Sequence, residues 1–253
     1  MRKISAIAHY EYKMLMTRWA TWGVFVAAVF LSLLEKYPST HNLARLEFLD
    51  QPAYFLYRTI SIDTLILVFG LLFLLSGRFQ ADRKCGLHHL IMTFPVQKRH
   101  YLSGKLLGAW LYTLTMLCLF LSVNLLVYSL AAPFEVDALD STVSFGKALL
   151  VSVLPVSFFI GICSIALADL MDIRLFYLLA AIYFLINANT IDSARPMPFY
   201  LITSGDLVKL IWVHPKWTGI YPTSVLANCL FLIGSGLACT GLLGIGHRPW
   251  RTE

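Results

Sequence analysis

Charged side chains are scarce in this sequence of 253 residues. Asp, Glu, Lys and Arg make up 13% of the chain, hydrophobic residues make up 58%, and the mean hydropathy is +0.71. Soluble domains carry about a quarter charged residues, so these values exclude a soluble globular domain. We therefore predict an all-α, polytopic membrane protein.

Several motifs of catalysis and ligand binding are also missing. The chain has no G-x-x-x-x-G-K-[ST] loop, so it cannot supply such an ATP site itself. It has no G-x-S-G serine element, because Ile233 stands where the first Gly would be needed before Ser235. Cys85, His88 and His89 form an isolated C-x-x-H-H pattern with no second ligand cluster. We therefore predict no catalytic residue, cofactor or metal in this chain, which is not an enzyme by itself.

Six nearly charge-free stretches are long enough to cross a bilayer core of about 30 Å, which needs roughly 20 apolar residues. They cover residues 19–34, 59–76, 106–131, 148–168, 175–191 and 223–246. The fifth stretch is the shortest, and Asn187 and Asn189 lie near its end. The predicted organisation is an N-terminal segment, residues 1–18, followed by a six-span domain, residues 19–253.

The distribution of positive charges predicts the orientation of the chain in the membrane. Most of the 20 Lys and Arg residues lie near the two termini or in the loop 77–105, whereas most acidic residues lie in the alternate loops. Cytoplasmic loops retain Lys and Arg, so both termini are predicted to be cytoplasmic. Attraction to anionic membrane lipid accounts for the basic charge, and no nucleic-acid partner is expected. None of the five cysteines lies in a predicted outer loop, so disulfides are not expected.

The N-terminal segment has the pattern of an amphipathic helix. Apolar residues near one helical face are Ile4, Ile7, Ala8, Met14 and Leu15, whereas Lys3, Glu11 and Lys13 lie largely elsewhere. This pattern predicts a helix lying at the membrane interface. A cationic tail beside the first span is the alternative.

The loop 77–105 is too basic to enter the bilayer, because burying its six Lys and Arg side chains would cost roughly 15–20 kcal/mol. Leu87, Leu90, Ile91 and Phe94 nevertheless follow helical spacing, and Pro95 ends the pattern. The spacing predicts a short amphipathic helix at the cytoplasmic surface. Such a helix either docks a partner or lies flat on lipid.

The same loop contains, in order, Asp82-Arg83, Gly86, Leu90, Pro95-Val96, Arg99 and Gly104-Lys105, leading into an apolar span. This order resembles the cytoplasmic coupling loop in type-2 permeases of ABC transporters. Asp82 stands where Glu is commoner, and His88-His89 replace Thr-Leu-Glu-like residues. The N-terminal helix, the six spans and the segment 196–222, which resembles a re-entrant or interfacial element, agree with that family in organisation.

The resemblance implies an ATP-driven exporter in the bacterial inner or plasma membrane. A separate cytosolic ABC ATPase would bind ATP and Mg and push on residues 87–94, and a second permease subunit, identical or related, would complete the pathway. The residues implied in ATPase coupling are Asp82, Arg83, Gly86, Leu87, Leu90, Ile91, Phe94, Pro95, Arg99, Gly104 and Lys105. Asp169, Asp172 and Arg174 would form a second, smaller contact, for which helix capping is an equal alternative.

In the sixth stretch, Gly236, Thr240 and Gly244 recur every four residues, which favours close helix packing. The almost charge-free spans favour an apolar or amphipathic cargo, such as a lipid, a drug or a peptide. An intramembrane enzyme and a secondary transporter are alternatives, because ionisable residues within membranes are functional candidates by default. A structural anchor is a third, although it does not explain the ordered loop.

Overall fold

The computed structural model describes residues 2–85, 97–189, 198, 202, 205–217 and 219–246. Within these ranges the chain forms helices and no strand. The helices are α1 (Arg2–Met16), α2 (Trp19–Lys36), α3 (Thr40–Arg45), α4 (Pro52–Arg58), α5 (Thr64–Ser76), α6 (Arg78–Lys84), α7 (Lys98–Ala131), α8 (Ala138–Ala148), α9 (Leu154–Leu170), α10 (Ile173–Asn189), α11 (Asp206–Lys209) and α12 (Pro222–Gly246). One π turn, Thr59–Asp63, joins α4 to α5, and another, Leu149–Val153, joins α8 to α9.

Five helical stretches of the described chain are long and apolar enough to cross a membrane. They are Trp19–Lys36, Pro52–Asp82, Lys98–Ala131, Ala138–Leu170 and Pro222–Ile245. The chain is therefore a helical protein with several membrane-spanning candidates, as its composition predicts. The fifth predicted span corresponds to α10, an apolar helix of 17 residues. This length is at the lower limit for crossing a bilayer, so the count of six spans stays a prediction.

Helix α9 occupies the centre of the bundle. It packs along α5, α7 and α12, and its residues Ile160, Ile165 and Ala166 are buried in the main apolar core. The contact with α7 is close, because a Cβ added at Gly161 would lie 2.8 Å from the Cα of Trp110. Helices α10 and α12 both contact α9 but are not in extensive contact with each other.

Helix α1 lies along the N-terminal part of α7. A Cβ at Gly104 would lie 2.8 Å from the Ile7 side chain, and one at Gly108 would lie 2.6 Å from the Ala8 carbonyl oxygen. Only glycine permits this approach. The predicted helix at residues 1–18 is present as α1, but the expectation for Glu11 is wrong. Its carboxylate lies on the packed face and is buried, because it pairs with a cation from α6.

Helix α7 has 34 residues, which corresponds to a length of about 51 Å. A bilayer core of about 30 Å accounts for little more than half of that length. The predicted third span covers only residues 106–131, since the Lys and Arg residues before it were assigned to a loop. In the structure the helix begins at Lys98, and Lys105 is buried within the packed bundle.

Candidate functional site

Four charged side chains from three helices meet beside the N-terminal half of α7. The Arg78 guanidinium donates to both carboxylate oxygens of Glu11, from Nε to Oε1 at 2.7 Å and from Nη2 to Oε2 at 3.1 Å. The Lys105 ammonium lies 3.5 Å from Glu11 Oε2 and forms an ion pair with Asp82. The Tyr101 hydroxyl donates to the same Asp82 carboxylate. We call these five residues the N-terminal charge cluster.

The charge cluster is buried but electrically balanced. Arg78 and Lys105 are 1% and 2% exposed, and Glu11 is 4% exposed. Two cations face two carboxylates, and the Arg78 contact is bidentate, which is the strongest geometry for such a pair. Lys105 Nζ also lies 5.2 Å from the centre of the Phe79 ring, within cation–π range. Removing one member would leave an uncompensated buried charge, which costs several kcal/mol.

Arg18 lies next to this cluster, in the link between α1 and α2. Partial burial, together with the positive charge of Arg78, lowers the pKa of the Arg18 guanidinium from its ordinary value, while Glu11 acts in the opposite direction. A guanidinium nevertheless stays protonated in proteins. Arg18 therefore adds positive charge beside a cluster that is itself neutral.

The charge cluster contains residues that precede the segment 86–96 and residues that follow it. Asp82 and Arg78 belong to α6, which precedes this segment, whereas Tyr101 and Lys105 belong to α7, which follows it. Glu11 connects both helices to α1. The two ends of the segment are thus tied to each other and to the N-terminal helix.

The structure brings together only some of the residues predicted for coupling. Asp82 and Lys105 form an ion pair, and Gly104 contacts α1. Arg99 is exposed. Gly86, Leu87, Leu90, Ile91, Phe94 and Pro95 lie outside the described residues, as does the Arg83 side chain.

Sequence reasoning missed three members of the charge cluster: Glu11, Arg78 and Tyr101. A signal for Glu11 exists, because it is the only acidic residue before Glu35 and shares helical spacing with the buried Ala8 and Leu15. Arg78 was assigned to a solvated loop because positive charge marks cytoplasmic segments. Its partner is distant in sequence, so spacing alone does not reveal the pair.

The second predicted contact contains a helix cap. Asp172 Oδ1 accepts a hydrogen bond of 2.8 Å from the Arg174 backbone N–H at the start of α10. Asp172 and Arg174 are exposed, whereas Asp169 is buried. This geometry supports the interpretation of Asp172 as a helix cap. A contact between the exposed side chains and a partner stays a prediction.

A second buried group of polar residues lies between α2, α5 and α7. Lys36 forms an ion pair with Asp63, and the two residues are 0% and 2% exposed. The Ser32 hydroxyl lies 2.6 Å from Asp63 Oδ2 and 2.9 Å from Asn124 Oδ1. Its single hydrogen serves one of these acceptors at a time. We call these four residues the Lys36 cluster.

The sequence does not predict the Lys36 cluster, because Lys36 and Asp63 both lie near the edges of predicted spans. Asp63 ends the π turn Thr59–Asp63, and such turns often occur at functional sites. Lys36 is the last residue of α2. The two residues are 27 positions apart in the sequence, so hydropathy does not reveal that they pair.

Parts of the segment 196–222 pack against the rest of the chain. The Trp212 indole N–H donates to Gln51 Oε1 at 2.9 Å, and its ring lies 4.7 Å from that of Tyr54. Lys209 pairs with Asp206 at 2.7 Å within α11. The described part of this segment is therefore attached to α4, while its re-entrant or interfacial position stays a prediction.

The three residues of α12 that were predicted to permit close helix packing differ in the contacts that they make. A Cβ at Gly236 would lie 2.7 Å from the Phe158 ring of α9, so this glycine permits a close contact. The Thr240 hydroxyl donates to the Gly236 carbonyl at 2.9 Å. At Gly244 no atom of another helix of the described chain lies within 4 Å of the Cβ position, so this glycine permits no close helix contact there.

Comparison of the chain with protein-family models, with curated proteins and with solved structures gives no match. Among the described residues, no group of three or more His, Cys, Asp or Glu side chains could hold a metal ion. The functional interpretation therefore depends on the geometry of the chain itself.

Proposed function

We propose that this chain is the membrane-spanning permease subunit of an ATP-driven ABC transporter that exports an apolar or amphipathic cargo. A separate cytosolic ATPase binds ATP and Mg, and a second permease subunit, identical or related, completes the pathway. Both termini and the loop 77–105 lie in the cytoplasm of a bacterial cell. The permease itself catalyses no reaction.

The N-terminal charge cluster carries this proposal. An ATPase that displaces the segment 86–96 must transmit force to the membrane helices through the chain on either side. Arg78 and Lys105 lie on those two sides, and both contact Glu11 of α1. Since the pairs are buried, the three helices move together more readily than they separate.

The charge balance of the helices supports an apolar or amphipathic cargo. The buried cations of the described chain are each paired with a carboxylate; they are Lys36, Arg78, Lys105 and Lys209. Paired charges compensate each other within the bundle and offer little attraction to a charged solute. A route for ions or sugars would require polar groups along several helices.

The test is purification of the tagged chain from its native membrane in mild detergent, followed by mass spectrometry of co-purifying proteins. We expect an ABC ATPase in stoichiometric amount. Leu90→Asp should remove the ATPase, because a carboxylate on the apolar face of the predicted coupling helix opposes docking. Leu139→Asp is the matched control, since Leu139 is exposed on α8 outside the coupling loop. Reproducible absence of any ATPase from the unaltered chain would reject the proposal.

A secondary transporter is the second candidate, and the Lys36 cluster favours it. Buried ionisable residues in membrane helices often belong to ion or proton pathways. Lys36, Asp63 and Asn124 come from three different spanning helices, as a site between moving helices requires. Transport by purified chain that depends on an ion gradient and needs no ATPase would favour this candidate.

A further inference from the structure

A groove with a volume of about 280 Å³ lies between α10 and α12, with α9 behind it. The groove is half open at the surface of the bundle. Representative lining residues are Cys163 from α9, Ala180 and Tyr183 from α10, and Phe231 and Cys239 from α12. The groove exists because α10 and α12 each pack on α9 without packing extensively on each other.

The wall of this groove presents no polar surface to an occupant. The Ser235 hydroxyl, which lies in the wall, donates to the Phe231 carbonyl of its own helix. The thiols of Cys163 and Cys239 face each other, with their Sγ atoms 3.6 Å apart. An occupant can therefore gain only apolar contacts, and the volume is near the lower limit for small-molecule sites, which suits one hydrocarbon chain.

One end of the groove reaches exposed charges of both signs. Met171 and Phe176 line this end, and the exposed Asp172 and Arg174 lie between them in the chain. Asp172 Oδ1 accepts a hydrogen bond from the Arg174 backbone N–H at the start of α10, and the side chains of both residues are exposed. A phosphate next to an ammonium group is complementary to this pair of charges.

The geometry points to a binding site for a zwitterionic phospholipid of the surrounding bilayer, with one acyl chain in the groove and its headgroup at Asp172 and Arg174. The groove opens beside α12, which is long and apolar enough to span the membrane, and α10, an apolar helix of 17 residues. Hydrocarbon is the solvent around such helices. The phosphate faces Arg174 and the ammonium faces Asp172. This site goes beyond the proposed transport function and does not depend on it.

Photochemical labelling of the purified full-length chain in lipid nanodiscs tests this site. The probe is phosphatidylethanolamine with a diazirine on one acyl chain, and adducts are located by peptide mass spectrometry. We expect adducts concentrated on the groove-facing residues of α10 and α12. Ala180→Phe fills the groove and should lower these adducts at least fivefold, whereas Ala27→Phe, the same change at an exposed position of α2, should leave them unchanged.

Two further variants keep the test decisive. Ser235→Leu fills the groove from α12 and replaces Ala180→Phe if that variant does not give a monodisperse protein. Arg174→Gln removes the phosphate contact and should lower the adducts about two- to fivefold, the effect of an exposed ion pair. A phosphatidylglycerol probe lacks the ammonium group that faces Asp172, so it should label the groove of the unaltered chain less than phosphatidylethanolamine does.

Three results would overturn the inference. These are adducts spread evenly over the lipid-facing helices, adducts that persist in both filled variants, and crosslinks showing that a second copy of the chain covers the groove. Because no ATPase takes part in the labelling, failure of the transport proposal would not change the result.

Discussion

Arg78 and Glu11 form a bidentate ion pair across 67 residues of sequence, and this pair joins the N-terminal helix to the helix that precedes the segment 86–96. Its two hydrogen bonds hold the guanidinium in one orientation. The contact therefore restricts how α1 and α6 can move relative to each other.

A double-mutant cycle measures this coupling. Glu11→Gln and Arg78→Gln should each lower the free energy of unfolding by about 3–5 kcal/mol, because each leaves the buried cluster with one uncompensated charge. The double variant should lose clearly less than the sum. Glu47→Gln, at an exposed position, is the control and should have little effect. Strict additivity in denaturant unfolding of the detergent-solubilised protein would contradict the buried pair.

Variants of the Lys36 cluster can distinguish a role in stability from a role in transport. Asp63→Asn should lower the free energy of unfolding by about 3–5 kcal/mol, since the Lys36 ammonium then lacks its counter-charge. Replacing both residues, by Lys36→Met with Asp63→Leu, should restore stability to within about 1 kcal/mol of the original or increase it. A stable double variant that retains transport shows that transport does not require the pair. A stable double variant that has lost transport indicates that the Lys36–Asp63 pair belongs to the transport pathway. Unfolding and transport are measured on the same preparations.

The contact between α1 and α7 depends on glycine at position 108. Gly108→Ala should destabilise the protein by about 1–3 kcal/mol, because its Cβ would collide with the Ala8 carbonyl. Gly234→Ala in α12, where nothing lies within 4 Å of the added Cβ, should instead stabilise the helix by up to about 1 kcal/mol. Thermal unfolding of both variants checks the difference in sign. Equal shifts would show that α1 does not pack as closely as described.

The role of α10 as a spanning helix can be tested with two cysteine variants in a chain carrying Cys85→Ser. Arg174→Cys and Lys216→Cys place exposed thiols in the first turn of α10 and beyond its end. A membrane-impermeant maleimide should label position 174 only from the cytoplasmic side and position 216 only from the opposite side. Labelling of both positions from one side would show that α10 does not cross the membrane, so that the described chain has five spans.

Composition and hydropathy were sufficient to predict the helical class and most of the spanning helices. The boundaries could not be predicted as well, since hydropathy stops at a charged residue whether or not that residue has a buried partner. Lys105 illustrates this limit. The predicted third span begins at residue 106, whereas Lys105 lies inside a helix that begins at Lys98 and forms an ion pair with Asp82 of another helix.

The candidate site was predicted only in part. The motif around Asp82 and Lys105 was found because its residues are close in sequence. Glu11 lies far from them in sequence, and its contact with Arg78 is created by the approach of α1 to Gly104 and Gly108. Such a pair depends on how helices pack, which local periodicity does not specify.

The length of α7 has a mechanical consequence. With about 30 Å inside the hydrocarbon, about 21 Å of this 34-residue helix is left outside it, if its far end coincides with the membrane boundary. Gly104 and Lys105, at the end of the second turn and the start of the third, would then belong to this projecting arm. A rigid rod pivoting at the membrane surface is a lever, and with these arm lengths a displacement of its projecting tip moves its opposite end by about 1.4 times as much in the reverse direction.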